Sequence, residues 1–357
     1  MTEPTRPHRE RFVLLDGIRG IAAIFIVQRH APEIFGKALP SSYLGVDLFF
    51  ALSGFVLAHA YGQALRDGAI TPAGFMRARI LRLYLLYGMA LALMIAYYLT
   101  AHEIGREIAM GELAIGIVTG ILFIPSPITL SFNAALFLVH PAWSLFNELV
   151  ANLAYALKGA RAGVKPILAV IGISAAVLII AGIEFGRLHA GFRWNEMYAG
   201  LARVFFSFSA GVLIYRFRPK TTVLRPWVSL ACLAVVIAVL AAPTPKDLKA
   251  FFDIPVVFFV WPALLYVASG SIPSARVATV SNVLGTASYA LYVLHTPLMD
   301  WFELIWGLAT DRPIGLAIGC LLVIAMVALS WWLTVAVDQP LQKRLKHLIR
   351  RPQPAFP

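Results

Sequence analysis

The sequence predicts an all-α polytopic membrane protein of about ten transmembrane helices, and three observations support that prediction. The 357 residues are 60% hydrophobic and only 13% charged, a composition that soluble domains do not have. Apolar stretches of the length of a membrane span recur from one end of the chain to the other. The lysine and arginine residues fall mostly in the short connections between these stretches, as expected of loops that face the cytoplasm.

The predicted spans are roughly residues 14–34, 44–62, 80–100, 141–158, 166–186, 198–217, 224–242, 251–270, 286–308 and 313–337. The basic loops alternate correctly along the chain if both termini are cytoplasmic. The segment before the first span is polar and basic and has no convincing cleavage site, so this span is interpreted as a retained helix and not as a signal peptide. We expect one membrane domain over residues 1–350 and a short cytoplasmic tail over 351–357.

One apolar segment is too short to be a span. Residues 113–124 are bounded by Glu112 on one side and by two prolines on the other, whereas a span needs about 20 residues. Counting the segment as a span would also put the basic loop around Arg161 on the outer side. We therefore predict that residues 101–140 stay outside, with a re-entrant or interfacial helix around 113–124. Its polar backbone is tolerated only against protein or a wet cavity.

The remaining composition excludes several function classes. The formal net charge of +12 does not indicate nucleic-acid binding, because the basic residues follow the loops. Cys232 and Cys320 lie inside apolar spans and are interpreted as small core residues. No Cys/His spacing typical of a metal site occurs, and we expect no metal.

The first predicted span carries two groups that hydrocarbon tolerates poorly, Arg19 and His30. At about 100° and 1.5 Å per residue, their eleven-residue separation returns to within about 20° of the same helix face, roughly 16 Å along the axis. An ionisable residue inside a span is a functional-site hypothesis. The alternative is that His30 lies at the outer interface while Arg19 snorkels to the inner one.

Two carboxylates extend this hypothesis. Asp47 enters the second span near the point where the first span exits, so it is expected close to His30, where it would orient the ring or raise its pKa. Alternatively, Asp47 is an acid at a helix N-terminus, favoured by the dipole. In the fourth span, Ser144, Glu148 and Asn152 are four residues apart and form a polar stripe. A buried carboxylate such as Glu148 needs a partner or takes part in chemistry.

Arginines crowd the start of the third span. Arg79 and Arg82 are three residues apart and share a helix face. They either follow the positive-inside rule or form a phosphate-binding cluster, because guanidinium groups bind phosphate oxygens bidentately.

Six sequence blocks stand out in order along the chain: LDGIRGIAAIFIVQRH, GVDLFFALSGFVL, RARILRLYLLY, WSLFNELV, SYALYVLHTPL and WWLTVAVDQPLQKRL. Together they resemble the acyltransferase-3 family of bacterial integral-membrane O-acyltransferases. In the first block, Arg19 and His30 keep the family's spacing of an arginine, ten residues and a histidine. Three departures occur: Leu85 stands where proline is usual, Asn147 replaces a frequent acid, and Asp338-Gln339 replaces part of Glu-x-Pro.

The resemblance implies transfer of an acyl group, expected to be acetyl, from cytoplasmic acyl-CoA to a hydroxyl of a cell-surface glycan or related small molecule, at the bacterial inner membrane. Within that reaction His30 is either the general base or the carrier of the acyl group. Glu148 or Asp47 would hold its tautomer. Arg19, with Arg79 and Arg82, would bind the acyl-CoA. The further candidates in the matching blocks are Trp143, Ser144, Tyr292 and His295.

Two other classes compete with an enzyme. In a proton-coupled transporter or flippase of an envelope precursor, Arg19, His30 and Glu148 would form a proton relay. No inverted repeat typical of such transporters is visible. A binding or scaffold protein would leave the intramembrane charges without a role.

Overall fold

The computed structural model describes residues 11–35 and 39–350, which fold mostly as helices. In chain order the α-helices are α1 Val13–Arg29, α2 Pro32–Phe35, α3 Gly45–Arg66, α4 Pro72–Glu103, α5 Met110–Leu122, α6 Ala142–Ala154, α7 Val164–Phe185, α8 Met197–Phe217, α9 Pro226–Ala241, α10 Lys249–Pro255, α11 Trp261–Ser269, α12 Ala275–Ala309, α13 Leu316–Leu333 and α14 Gln339–Arg350. Wider π-helical turns follow α6, α10 and α13, at Tyr155–Gly159, Val256–Val260 and Thr334–Asp338. Two short strands, β1 Val223–Leu224 and β2 Ser271–Ile272, pair in parallel.

Each predicted span overlaps helical structure. The span at 14–34 covers α1 and the short α2 after a break at residues 30–31, and the span at 251–270 covers α10, a π-turn and α11. Seven helices in the described ranges are long and apolar enough to cross a membrane: Ser42–Arg66, Pro72–Glu103, Val164–Phe185, Trp194–Phe217, Lys246–Ser269, Ala275–Ala309 and Leu316–Arg344. The helices α1, α6 and α9 are shorter. The protein is therefore a multi-pass helical membrane protein, and the count of ten spans stays a prediction. The predicted tail, residues 351–357, lies outside the described residues.

Contacts between loops gather at two opposite ends of the helix bundle. At one end β1 pairs with β2, and Arg216 donates a hydrogen bond to the carbonyl oxygen of Ala162, 2.7 Å away. At the other end the amide of Leu136 donates to the carbonyl oxygen of Phe192, 3.1 Å away. We call the first the arginine end, which holds Arg19, Arg79, Arg82 and loops 160–163, 218–225 and 270–274. We call the second the histidine end, which holds His30, His140 and His189.

The apolar segment that is too short to span forms α5, which runs back along α4. Tyr84 and Tyr87 of α4 donate their hydroxyl hydrogens to the carbonyl oxygens of Ile121 (2.6 Å) and Gly120 (2.8 Å). Carbonyls in the last turn of a helix have no amide partner within it. The two tyrosines therefore give hydrogen-bond partners to two carbonyl oxygens at the end of α5.

The chain then returns towards the start of α5. Glu112, in the first turn of α5, accepts hydrogen bonds from both the amide and the hydroxyl of Ser131, at 2.7 and 2.8 Å. Beyond Tyr87, α4 continues to Glu103, roughly 24 Å further at 1.5 Å per residue. The segment thus runs along α4 and comes back, and its re-entrant position in the membrane stays a prediction.

α1 packs in parallel against α12 through small residues. A Cβ atom at Gly17 would overlap Ser281, and one at Gly20 would overlap Leu284. The same close approach joins α3 to α8, where a Cβ at Gly54 would overlap the carbonyl oxygen of Phe208. Small residues allow such contact between membrane helices, whose association depends on van der Waals packing.

The two cysteines differ in their surroundings. Cys232 is buried on α9, as predicted, whereas Cys320 is exposed on α13. The prediction of a core position for Cys320 was wrong, because α13 is apolar all round and also exposes Leu321 and Ile324. A uniformly apolar helix has no polar face to mark the side that packs.

The path of α5 predicts the outcome of cysteine labelling. In a background lacking Cys232 and Cys320, the variants Arg106→Cys and Ser131→Cys should both react with an impermeant thiol reagent from outside, because these exposed positions flank α5 at the histidine end. The control Arg161→Cys, exposed at the arginine end, should react only after permeabilisation. Labelling at just one of the first two positions would mean that α5 crosses the membrane.

Candidate active site

Arg19 is held against α12 near the arginine end. Its Nε donates to the hydroxyl of Ser288 at 2.8 Å, and its Nη2 donates to the Gly285 carbonyl oxygen at 3.0 Å. The same Nη2 lies 2.9 Å from the carboxylate of Asp16, one turn earlier on α1. The side chain is 36% exposed, so Arg19 is an anchored cation that still faces open space.

His30 follows the last residue of α1, and its ring lies against the middle of α12. Its Nδ1 is 2.9 Å from the carbonyl oxygen of Ile26 and 3.2 Å from Nε2 of His295. α12 continues to Ala309, roughly 21 Å beyond His295. His30 is therefore recessed within the bundle. Like Arg19 it lies against α12, as the eleven-residue spacing predicts.

The hydrogen bonds of His295 determine which nitrogen of His30 carries hydrogen. The carbonyl oxygen of Tyr292 lies 2.7 Å from His295 Nδ1 and can only accept, so we assign the hydrogen of His295 to Nδ1. His295 Nε2 is then the acceptor of the neutral ring, and His30 Nδ1 donates towards it and towards Ile26. This assignment leaves the lone pair on Nε2 of His30, as a general base requires.

Asp47 does not contact His30, contrary to the sequence-based expectation. Its two carboxylate oxygens accept from Nε and Nη2 of Arg203, at 2.9 and 2.7 Å, and both side chains are fully buried. Arg203 also donates to the carbonyl oxygens of Ala190 and Tyr43 and lies over the ring of Trp143, 5.5 Å from its centroid. Such a bidentate pair of guanidinium and carboxylate compensates two buried charges. Asp47 therefore helps to join α3 to α8.

Glu148 does not contact His30 either. One carboxylate oxygen accepts from the hydroxyl of Ser53 at 2.6 Å and from Nη2 of Arg79 at 2.8 Å. The two charged side chains are only 14% and 12% exposed. The carboxylate has the partner that its burial demands, and that partner is one of the arginines predicted to bind phosphate.

Glu148 instead faces a cavity of about 330 Å³ at the arginine end, which we call the arginine cavity. Its charged lining residues are Arg11, Asp16, Arg19, Arg79, Arg82, Glu148 and Asp338. Arg82 is 52% exposed and its nearest carboxylate, on Asp338, is 3.9 Å away. Arg11 pairs with Asp16 but is 59% exposed. The most accessible cations are therefore Arg11 and Arg82.

A smaller cavity of about 30 Å³ lies at the histidine end, and we call it the histidine cavity. Its polar and aromatic lining residues are Arg29, His30, Tyr43, His140, Trp143, His189, Phe192, Arg203 and Tyr292. Burial, together with neighbouring His30 and the cations of Arg29 and Arg193, lowers the pKa of His140 to about 3. Burial and nearby arginines likewise hold the pKa of His189 well below its usual value. Both rings are consequently neutral at physiological pH.

Two residues, Val46 and Tyr292, line both cavities and form a wall between them. The hydroxyl oxygens of Tyr292 and Ser144 are 2.5 Å apart, and Ser144 Oγ is also 2.9 Å from the carbonyl oxygen of Pro141. Because that carbonyl can only accept, Ser144 donates to it and Tyr292 donates to Ser144. The hydrogen-bonded pair closes the wall.

Several residues of this region were not singled out from the sequence. The missed residues are Arg11, Ser53, His140, His189 and Arg203. Arg203 lies inside a predicted span, and an ionisable residue inside a span is a candidate site residue, as was argued for Arg19. The same argument would have identified Arg203. His140 and His189 lie in loops and carried no such signal. Within residues 11–35 and 39–350, no three His, Cys, Asp or Glu side chains are grouped as a metal site requires.

The pairing of Asp47 with Arg203 predicts a loss of stability on removal of one partner. Arg203→Met should destabilise the protein by about 3–5 kcal/mol, because it leaves a carboxylate buried without its cation. The double variant Asp47→Leu with Arg203→Met should recover much of that loss, since no charge is left unpaired. Thermal unfolding in detergent measures both, with the exposed Arg77→Gln as control. Equal loss in single and double variants would contradict this role.

Comparison with known proteins agrees with this architecture. The acyltransferase-3 family model, described as an acyltransferase domain, matches residues 12–335. "Protein 2 in picA locus" of Rhizobium radiobacter is 59% identical over 185 residues, which are 49% of this chain and 97% of that protein. No solved structure matches the chain. Because the family match extends over nearly the whole sequence, this chain belongs to the acyltransferase-3 family of membrane acyltransferases.

Proposed function

We propose that this acyltransferase moves an acyl group, acetyl in the simplest case, from acyl-CoA to a hydroxyl of a cell-surface glycan or related small molecule. The observation that carries the proposal is the environment of His30. Its Nε2 is assigned a free lone pair. Among the residues that the structure describes, only Val46 and Tyr292 line both the histidine cavity and the arginine cavity. A base on one side of a thin wall and cations on the other fit a donor and an acceptor that approach from opposite ends.

The arginine cavity is the proposed binding site for the acyl donor. Acyl-CoA carries several phosphates and a long, thin pantetheine arm. Arg82 and Arg11 are exposed enough to bind phosphate oxygens through their planar forks, while Arg19 lies deeper, beside α12. Arg79 is bound to Glu148, so we propose that it acts by positioning that carboxylate and not by direct contact with a phosphate.

The proposed reaction needs a general base and an opening between the two cavities through which the thioester can reach that base. The acceptor oxygen attacks the thioester carbonyl carbon, a C–O bond forms, and the C–S bond breaks. The hydroxyl proton moves to Nε2 of His30 and then to the departing sulfur of coenzyme A. For the thioester to reach His30, the hydrogen bond between Tyr292 and Ser144 must open. A released Tyr292 hydroxyl could then donate to the negative oxygen that develops on the carbonyl.

His295 is the proposed positioning residue of this reaction. It takes the place that a carboxylate has in many catalytic triads, because it accepts from His30 Nδ1 and thereby selects the reactive tautomer. Its own orientation comes from the Tyr292 carbonyl on the same helix. This role replaces the one that the sequence assigned to Glu148 or Asp47.

The transporter alternative is less well supported. It needs a proton relay that joins Arg19, His30 and Glu148. Glu148 is bound to Arg79 and Ser53, and His30 is bound to His295 and Ile26. These hydrogen bonds do not link Glu148 to His30, whereas a proton relay requires a continuous chain of hydrogen bonds between its members.

Substitution of the two histidines should separate a base from its positioning residue. His30→Ala should abolish transfer of labelled acetyl from acetyl-CoA to an envelope glycan extract, and general-base loss alone lowers rates about 10²- to 10⁴-fold. His295→Gln should lower kcat and change its pH profile, while KM for acetyl-CoA is retained. His102→Ala, an exposed histidine on α4, is the matched control.

The same assay distinguishes the two forms of the mechanism. Wild-type turnover by His30→Ala would refute the role of His30. Label that stays on the protein when acetyl-CoA is added without acceptor would indicate that His30 carries the acyl group.

Arginine-to-lysine substitutions test the donor site. Arg19→Lys and Arg82→Lys keep the charge but lose the bidentate fork, so each should weaken coenzyme A binding by about 1.5–3 kcal/mol, or roughly ten- to hundred-fold. Arg79→Lys should also weaken binding, through displacement of Glu148. Arg77→Lys, on the same helix but exposed and outside the cavity, should change nothing.

Calorimetric titration of the detergent-purified protein with coenzyme A measures these affinities. No saturable binding to the wild type, or affinity indifferent to all three cavity substitutions, would remove the arginine cavity as the donor site.

A further inference from the structure

A group of cations lies beside the histidine cavity, around the ring of Tyr43. The guanidinium carbon of Arg29 is 4.9 Å from the ring centroid, and Nζ of Lys249 is 5.8 Å from it. Arg187 is close by, since its Nε donates to the carbonyl oxygen of His189 at 3.4 Å. Because the rings of Tyr43 and His189 are 4.9 Å apart, three cations from three separate segments lie near this pair of rings, and Arg29 is the one that lines the histidine cavity.

Arg29 differs from the arginines of the arginine cavity in its partners. Its hydrogen bonds go to neutral groups, the Leu39 carbonyl oxygen at 3.4 Å and Nδ1 of His189 at 3.3 Å. Among the side chains that the structure describes, no carboxylate lies within ion-pair distance of it. Asp253, the acid beneath Tyr43, is buried and accepts instead from the Tyr43 hydroxyl and the Leu188 amide.

A half-buried guanidinium without a carboxylate is a ready site for an anion. Partial burial removes water from the charge, and an incoming anion restores the lost interaction. The histidine cavity that Arg29 lines with His30 has about 30 Å³. That is room for about two water molecules, which is enough for part of a small anionic group but too small for a sugar ring, so the ring of a saccharide would stay outside the cavity.

We infer that the acceptor binds through an anionic group, a carboxylate or a phosphate, held by Arg29 with help from His189 and Lys249. This inference rests on the proposed function, because it names the acceptor class of the same site. Because Arg29 and His30 line the same cavity, an anion held at Arg29 would place the adjoining part of the acceptor next to His30. The hydroxyl that is acylated would thus lie close to the acidic group of a saccharide.

The test compares acceptors that differ only in charge. A uronic-acid oligosaccharide and its methyl ester, together with a phosphorylated and an unphosphorylated hexose oligosaccharide, are offered with acetyl-CoA to the full-length protein in proteoliposomes. We expect kcat/KM to be at least tenfold higher for the acid than for its ester, with the preference falling as salt rises. Comparison of kcat/KM for the uronic-acid and the phosphorylated oligosaccharide shows whether the site takes a carboxylate or a phosphate.

Variants of Arg29 test the assigned cation. Arg29→Gln should lower kcat/KM for the acidic acceptor about ten- to hundred-fold while the neutral ester is little affected and coenzyme A affinity is unchanged. Arg29→Lys should retain part of the preference because the charge remains. Arg106→Gln, which removes an exposed arginine bonded to Tyr97 at the same end, should keep the full preference.

Equal use of acid and ester by the wild type, or an equal loss on both in Arg29→Gln, would overturn the inference. A binding measurement keeps it separate from the proposed reaction. If no acceptor is acylated but the wild type binds the uronic oligosaccharide more tightly than its ester, and Arg29→Gln does not, the anion site stands and the proposed reaction fails. If the neutral acceptors are acylated and no acid preference exists, the reaction stands and the anion site fails.

Discussion

The close parallel packing of α1 against α12 is the contact on which the rest of the site depends. In lipid there is no hydrophobic force between helices, so small residues such as Gly17 and Gly20 supply the packing that joins them. In this register Arg19 reaches Ser288 and His30 reaches His295. A shift of one residue would rotate both groups by about 100° and separate them from their partners on α12.

The arginine cavity and the much smaller histidine cavity lie on either side of Val46 and Tyr292. On the arginine side the cations lie in a space large enough for the end of a long, charged donor, and on the histidine side a recessed imidazole has room beside it only for a small group. Tyr292 belongs to both cavities, and its carbonyl orients His295 while its hydroxyl bonds Ser144. One residue of α12 thus contacts both the positioning residue of the proposed base and the barrier that the acyl group would pass in the proposed reaction.

Charge pairing within the bundle distinguishes structural from available groups. Hydrocarbon makes an unpaired charge expensive, and Asp47 with Arg203 and Glu148 with Arg79 meet this demand with near-complete burial. Arg29 has only neutral partners among the described side chains. In the proposed acceptor site, an external anion would supply the charged partner that Arg29 lacks, next to the proposed base.

The amino-acid sequence by itself determined the membrane-helical class, the positions of the helices, the shortness of α5 and the shared face of Arg19 and His30, because these follow from apolar length and from helical periodicity along one segment. Only the tertiary structure decided that Asp47 pairs with Arg203, that Glu148 pairs with Arg79 and that His295 contacts His30. These contacts join helices far apart in the chain, and the rotation of each helix about its axis decides them. Membrane helices that are apolar all round, such as α13, carry no sequence pattern that reveals this rotation. The exposure of Cys320 and the partner of each buried charge are therefore fixed only by the packing of the helices against one another.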